Sequence, residues 1–592
     1  MTLQRSASDP CLTDPEMAPG ADLLAEGRRM AAEWRLGRCL FLDTGSVASE
    51  AEYKRRAMVE GQMMQHAHIG FRSIERTIAA MGELHDRAAQ HGVRIDRFGI
   101  TLDWTMGYPL DRRADAARGT GIVLTGPEDF ARITNASPAA AHFGDFMLGL
   151  PGALENTRAA IAAGATAIGN LGQYFTFRLP YWDDDVATTE ATLRALGLIA
   201  AQEAEILVHS NLDDGFAGLF LDMTSAFGMM LIEKHIVEDL IGAAASFCFG
   251  HHFSAPLTRA AFQAALARET DTPGTMIFGN TVAYQGASAS NYASLANYLL
   301  ADLTALHEHH SGHAVNPVPV TENIRIPDVD EILDAQLFAA RLAEHAPGHA
   351  AVQDNALIAQ MADRLIAGGR AFAEMALRGL AGRGVDTTDP AALMLAIRRL
   401  GAKRMEALWG AGTMQDGRRA PLVAADWAEE LDEMAGAWVR RQAGARLTHR
   451  RVALGTTDVH EHGAYLVRRA LEGLGAEVLE VGVAIDAEVL VARALEAGSD
   501  AIAVSTYNGI GLGYARSVMA ALAAQGADLP VLMGGKLNEI PQDSNSSLPV
   551  DVTEQIRQAG VIPCAGLDDM LAALGGSDVL TAVDVDGRAV DV

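Results

Sequence analysis

The sequence predicts an α/β protein: a (β/α)8 TIM barrel, then a helical linker, then an open flavodoxin-like sheet of Rossmann type. Three observations lead there. Short apolar runs alternate with Ala-rich helical stretches from about Phe98 to Val320. A stretch of purely helical pattern follows, from Asp330 to about Arg446. Strand–helix alternation then returns, with small, polar or Gly residues at each strand end. Parallel strands need crossovers of a dozen or more residues, usually helices, and roughly 250 residues of such alternation match an eightfold barrel. The expected divisions are 1–92, an N-terminal arm with helices; 93–330, the barrel and substrate domain; 331–446, the linker; and 447–592, the final domain.

The chain has 592 residues, a formal net charge of −28 and 49% hydrophobic residues, and its mean hydropathy is +0.09. That is apolar material for about two to four cored domains. A field this acidic repels phosphate backbones and anionic bilayers, so neither nucleic acid nor membrane is expected as a partner. No apolar run is long enough for a transmembrane helix. Met1–Gly20 is polar and lacks the basic start and apolar core of a secretory signal. Cys11, Cys39, Cys248 and Cys564 are widely spaced and form no C-x-x-C pair, which reads as reduced thiols in a cytoplasmic protein.

In chain order, Leu23–Trp34 reads as an amphipathic helix, and Glu50–His66 and Ile74–His91 as two more. The expected barrel strands are Phe98–Leu102, Phe146–Leu150, Thr166–Ile168, Ile206–His209, Ser246–Phe249, Met276–Phe278 and Val315–Val320, with an eighth near Ile122–Thr125. The linker shows helical pattern at Phe338–Glu344, Ala356–Leu377, Ala391–Leu408 and Trp427–Ala443, the second interrupted by Gly368-Gly369. The last domain offers strands at Val452–Gly455, Glu477–Val483, Ala501–Val504 and Val531–Met533, and a β-like tail at Asp578–Val592.

Function in such a barrel sits at the strand C-termini. Candidates there are Arg112 and Arg113 after the first strand, then Gln173, Arg178 and Tyr181. Further along come His209, Asp213, Asp214, His251, His252, Asn280, Gln285, Asn316 and Glu322. Guanidinium forks bind carboxylates bidentately, so the arginines point to an anionic substrate met locally against an unfavourable overall field. His307-Glu308-His309-His310 falls before the last strand, on the face away from chemistry, and reads as a turn rather than a metal site. Asp183-Asp184-Asp185 reads as the cap of the following helix, where acidic residues favour the N-terminus.

The last domain carries the most specific signal. Asp458, His460 and Gly463 form D-x-H-x-x-G where a strand hands over to a helix. Ser505-Thr506-Tyr507-Asn508-Gly509 ends another strand, and Gly534-Gly535 ends a third. A carboxylate two residues before an imidazole can hold one ring nitrogen, fixing the tautomer while the other ligates a metal. Arg451 to Leu574 resembles the cobalamin-binding domain of base-off/His-on corrinoid enzymes, which carry these elements in this order. The resemblance implies that His460 is the lower ligand of cobalt and that Asp458 supports it. It also places Ser505, Thr506 and Gly509 near the displaced nucleotide tail, with Gly534-Gly535 making room for it. Tyr507 departs from the family's Ser-x-Leu.

Gly164–Tyr181, with Leu179-Pro180-Tyr181, resembles the barrel subunit of glutamate mutase, and the similarity runs to Pro319-Val320-Thr321-Glu322. It implies Tyr181 as a substrate contact and Asn316 and Glu322 as adenosyl contacts. The arginines that grip two carboxylates in that enzyme have no clear match. The reading is an adenosylcobalamin-dependent mutase that rearranges the carbon skeleton of a small free carboxylic acid, a dicarboxylate or amino acid. Arg112, Arg113, Gln173 and Arg178 are its candidate substrate residues, and His209, His251 and Tyr181 its candidate catalytic residues. A homodimer and a reactivating chaperone are the expected protein partners. The alternative is a corrinoid methyltransferase; a non-enzymatic cobalamin sensor is a third class.

Overall fold

The computed structural model describes residues 11–116, 118–211, 220–251, 255–279, 284, 287–415, 418–442, 444–507, 509–539 and 549–575. The chain forms two compact units, Met1–Asp426 and Trp427–Val592. Eight strands organise the first: β1 Met64–Ile69, β2 Arg97–Ile100, β3 Ala140–His142, β4 Ala167–Ile168, β5 Leu207–Asn211, β6 Ala244–Cys248, β7 Met276–Ile277 and β8 Ala314–Val315. Their pairings are all parallel, in the orders β3-β2-β1-β8-β7 and β4-β5-β6. Parallel bridges Phe143–Ile168 and Phe249–Ile277 join the two sheets at both edges. Each strand is thereby linked to the next around a ring, and β8 returns to β1. A helix fills each crossover, from Ile74–Gln90 after β1 to Ser288–Glu308 before β8.

Local chemistry sets these elements. Ile74–Gln90 starts where Ser73 accepts a hydrogen bond from Arg76 N, as an N-cap should. It buries Thr77, Ala80, Met81, Leu84 and Ala88, a stripe at helical spacing. Gly92 follows at φ +72°. Pro127 and Pro256 open the helices after β2 and β6, where the missing N–H costs nothing. Asp184 caps Asp185–Ala200 by accepting from Ala187 N at 2.8 Å, so the acidic run Asp183–Asp185 does act as a helix start.

Three strand expectations are corrected. Phe146–Leu150 is a turn, with Phe146 at φ +61°; the strand lies earlier, in the Ala-rich 140–142. Ile122 makes only an isolated bridge with Leu102. The missing strand is β1, which takes over the end of the segment Glu50–His66 expected to be helical: the helix Glu50–Val59 stops before Gly61, which takes φ +66°. Pairing at β8 ends at Val315, because Pro317 and Pro319 have no N–H to continue a ladder.

The helix Glu50–Val59 seals the end of the ring where the strands begin. Lys54 Nζ donates to Thr275 O at 3.0 Å and Gly312 O at 2.7 Å, both just ahead of β7 and β8. Glu50 pairs with Arg97, the first residue of β2. Beyond the ring, Asn355–Ala381 packs on Met223–Lys234 and Pro256–Glu269. This helix runs straight through Gly368-Gly369, expected as an interruption. A Cβ on Gly368 would stand 2.6 Å from Thr224, and one on Gly369 2.8 Å from Phe227. The two glycines let the helices approach, which is a packing role.

The second unit holds β9 Arg451–Thr456, β10 Glu477–Gly482, β11 Ala501–Thr506, β12 Val531–Gly535 and β13 Ile562–Cys564. All pair in parallel in the order β10-β9-β11-β12-β13. Alternate residues of β9 face opposite cores. Val452 and Leu454 pack with Leu471 and Trp438, while Ala453 packs with Leu490, Val504 and Val518. A sheet covered on both faces in this order has its topological switch between β9 and β11, where ligands bind beyond the strand ends. Among the described residues no helix is long and apolar enough to cross a membrane.

Candidate functional site

The loop after β9 occupies that switch point. Asp458 is buried, and each of its oxygens has two donors. Oδ1 accepts from His460 N at 2.9 Å and faces His460 Nδ1 at 2.6 Å. Oδ2 accepts from Thr457 Oγ1 at 3.0 Å and from Tyr507 N at 3.1 Å. Burial works to raise the Asp458 pKa; the hydrogen bond and charge of His460, with the two N–H groups, outweigh it and hold the carboxyl below its ordinary value. An ionised carboxylate only accepts, so Nδ1 carries the proton toward Asp458, which leaves Nε2 as the nitrogen whose lone pair a metal would use when the ring is neutral. The His460 side chain is 31% exposed, enough for a ligand to reach that nitrogen.

Neighbouring strand ends frame the pair. Thr457 Oγ1 lies 3.0 Å from Thr506 Oγ1, which ties β9 to β11. A Cβ on Gly463 would stand 2.5 Å from Ser505 Oγ, so this glycine admits the helix His462–Gly473 close to β11. Gly535 takes φ +108°, and a Cβ there would stand 2.1 Å from Thr506 O. Gly534 lies beside Cys564 O, and Gly509 takes φ +71°. Tyr507 stacks on His460, ring centroids 4.4 Å apart and 28° between planes, and Lys536 Nζ stands 4.1 Å from the Tyr507 centroid.

The donor set decides what kind of metal suits the loop. Among the described residues no group of three or more His, Cys, Asp or Glu stands together as a metal cage. One carboxylate-held imidazole is a single ligand. It fits a metal that arrives with its other donors already bound in a macrocycle, as in a corrinoid.

Comparison with known proteins follows this geometry. Residues 451–553 match the B12 binding domain family. The match spans β9 to β12, the strands around the switch point that carries Asp458 and His460. A solved structure titled as a novel cobalamin-binding protein from Desulfitobacterium hafniense DCB-2 also matches. It is 18% identical, covering 37% of this chain and 90% of that one, with a TM-score of 0.19. No curated protein matches the chain.

The candidates of the first unit are spread over its strand ends and interior. His209 is inside the ring, not at its mouth, because β5 runs two residues further than expected, to Asn211. Its Nδ1 lies 2.8 Å from Thr275 Oγ1, at the start of β7, and its ring meets His142 edge-on at 4.4 Å. His251 follows β6 and stacks on Phe278 with centroids 5.2 Å apart. Gln173 is buried and accepts from Phe146 N at 2.8 Å. Tyr181 is 67% exposed, on a loop held by Tyr108, whose hydroxyl donates to Pro180 O at 2.5 Å.

Arg178 is half-exposed and 3.9 Å from both Asp183 and Asp185. Arg112 is exposed. Arg113 instead braces its own loop: it donates to Tyr108 O at 2.9 Å and Asn156 Oδ1 at 2.6 Å, and burial lowers it to about 10. Asn316 and Glu322 follow β8; Asn316 is buried, and Asn316 Nδ2 and Glu322 Oε2 are buried without a hydrogen-bond partner among the described residues. Asp213, Asp214, His252, Asn280, Gln285, Asn508 and the tail 578–592 lie outside the described residues.

The sequence reading missed β1 and with it His66 and His68. The signal was there: His66-Ala67-His68 puts two imidazoles on one face of a strand. His68 Nε2 lies 2.7 Å from Thr101 Oγ1 at the C-terminal ends of β1 and β2. Burial and then the neighbouring His251 lower it to about 4. Deeper in the ring, burial followed by the Arg97 charge pushes His66, His142 and His209 well below the ordinary imidazole value. At neutral pH the interior therefore presents uncharged imidazoles around one guanidinium.

Proposed function

We propose that the chain is an adenosylcobalamin-dependent mutase that rearranges the carbon skeleton of a small free carboxylic acid. The observation that carries the reading is the Asp458–His460 pair at the switch point of a B12-binding domain, with Nδ1 2.6 Å from the carboxylate. His460 would hold the cobalt through Nε2, and Asp458 would fix the ring and raise its basicity. When bound, the cofactor supplies the radical chemistry.

The chain's own residues do the rest in a ring read as a (β/α)8 barrel, whose strand ends are where such folds place chemistry. His68, held uncharged at neutral pH by burial, and His251 stand at those ends. Arg178, on the Tyr181 loop, is the cation placed to meet a carboxylate, and its 3.9 Å contacts with Asp183 and Asp185 are loose enough to be exchanged for a substrate fork. Asn316 Nδ2 and Glu322 Oε2, buried without partners among the described residues, are the groups that would hold the adenosyl ribose. The helix Glu50–Val59 closes the opposite end with its buried face, Glu50, Ala51, Lys54 and Ala57.

Loading the full chain with adenosylcobalamin and, separately, methylcobalamin tests this reading. Turnover of dicarboxylates and amino acids is followed by proton NMR. Rearranged product with the adenosyl form alone supports it. Methyl transfer with the methyl form supports the methyltransferase alternative, and turnover confined to acyl-coenzyme A substrates would overturn the free-acid assignment.

A further inference from the structure

We propose that Tyr507, backed by Lys536, is a positioning residue that holds the His460 imidazole by its face in the orientation in which it would hold a corrinoid metal. The inference rests on His460 being the lower ligand. Asp458 grips the ring at one point, Nδ1. A hydrogen bond at one ring atom opposes tilt weakly, whereas a ring lying against the imidazole face opposes it directly, and tilt is what moves Nε2. The Tyr507 ring, 4.4 Å away and 28° from parallel, blocks that tilt on one side. The same residue also donates its N–H to Asp458 Oδ2 at 3.1 Å. Tyr507 thus fixes both the carboxylate and the imidazole it orients.

Lys536 completes the arrangement. Its N–H donates to Thr506 O at 2.9 Å, which fixes the backbone beside Tyr507. Its ammonium stands 4.1 Å from the Tyr507 centroid, within cation–π range. His460, Tyr507 and Lys536 follow β9, β11 and β12, three neighbouring strands, so the stack inherits the rigidity of the sheet. A leucine at this position would have no flat face and could not stack.

The test uses the full chain, titrated with hydroxocobalamin by absorbance and then reduced to cob(II)alamin for electron paramagnetic resonance. Tyr507→Phe keeps the face and should match the native affinity and axial-nitrogen coupling. Tyr507→Leu should bind about tenfold more weakly, in the range of lost ligand-orienting contacts, and show a mixed signal with a fraction of cobalt not bound by nitrogen. Tyr507→Met replaces it if the Leu variant does not fold. Lys536→Met should move the spectrum in the same direction by less. Native affinity and an undivided signal in the Leu or Met variant would overturn the proposal, as would a Phe variant as impaired as Leu. His460→Ala separates the two readings: nitrogen coupling that survives it removes the lower-ligand assignment itself, whatever Tyr507 does.

Discussion

Arg97 Nε lies 2.6 Å from Glu50 Oε1, with each side chain 2% exposed. Arg97 is the first residue of β2 and Glu50 the first of the helix that seals the ring. Glu50 Oε1 also faces Lys54 Nζ at 3.6 Å. One carboxylate thus serves two buried cations. Glu50→Ala would strip Arg97 of its buried carboxylate, and removing one partner of a buried pair costs about 3–5 kcal/mol. Urea unfolding should show a loss of that size. A loss below about 1 kcal/mol, the range of surface pairs, would mean that water reaches the group.

Lys54 gives the same network a pH signature. Burial, then the Arg97 charge, lowers it from 10.5 to about 7. Between those values the unfolded chain binds the proton and the folded chain does not. Stability therefore rises with pH through that window, by up to about 1.4 kcal/mol per unit. Below pH 7 the buried charge destabilises the fold by a constant amount. Lys54→Met abolishes the term. The stability of the native chain relative to this variant should climb between pH 7 and 9; a flat difference would show that Lys54 stays charged throughout.

Asp458 is the support on which the corrinoid site depends. Asp458→Ala removes the acceptor of Nδ1 and of the N–H groups of His460 and Tyr507. Loss of such a supporting partner weakens metal affinity by about 10–100-fold. Hydroxocobalamin titration should show that loss while the far-ultraviolet circular dichroism of the chain is kept. Unchanged affinity would show that His460 is oriented by something other than Asp458.

The parts legible in the sequence are those whose signal is local. Asp458 and His460 are two residues apart, so their spacing alone puts them in reach of each other, and the βα rhythm from Arg451 needs no long-range information. The ring is harder. β1 was hidden because Gln65, His66 and His68 do not look like a strand until Arg97 and the other interior groups supply their partners. The strand at Ala140–His142 lacks the β-branched residues that mark strands, whereas Phe146–Leu150, which has the apolar look, is bent by a positive φ and by its bond to Gln173. His209 was legible as a polar residue on β5 but not as an interior one, since its depth depends on where pairing ends and on Thr275, 66 residues away. The stack of Tyr507 on His460 was out of reach for the same reason: 47 residues separate rings that the strand order places side by side.

Two glycines of the second unit should respond in opposite directions. Gly535 ends β12 at φ +108°, with a hypothetical Cβ 2.1 Å from Thr506 O. The clash is with backbone, which cannot swing aside as a side chain would, and the φ itself is costly for any L-residue. Gly535→Ala must push β12 away from β11, disturbing the Lys536 N to Thr506 O bond and the Thr457–Thr506 contact behind Asp458. The expected loss is about 1–3 kcal/mol from strain alone, with weaker hydroxocobalamin binding. Gly513 lies inside the helix Gly511–Ala524 with nothing within 4 Å of its Cβ position. Gly513→Ala restricts the unfolded chain and meets no neighbour in the folded one, so it should stabilise by about 0.4–1 kcal/mol. Denaturation of both variants in one buffer decides the matter: the two substitutions add the same methyl group, and a Gly535→Ala variant as stable as the native chain would show that conformation and contact at Gly535 are not what the fold relies on.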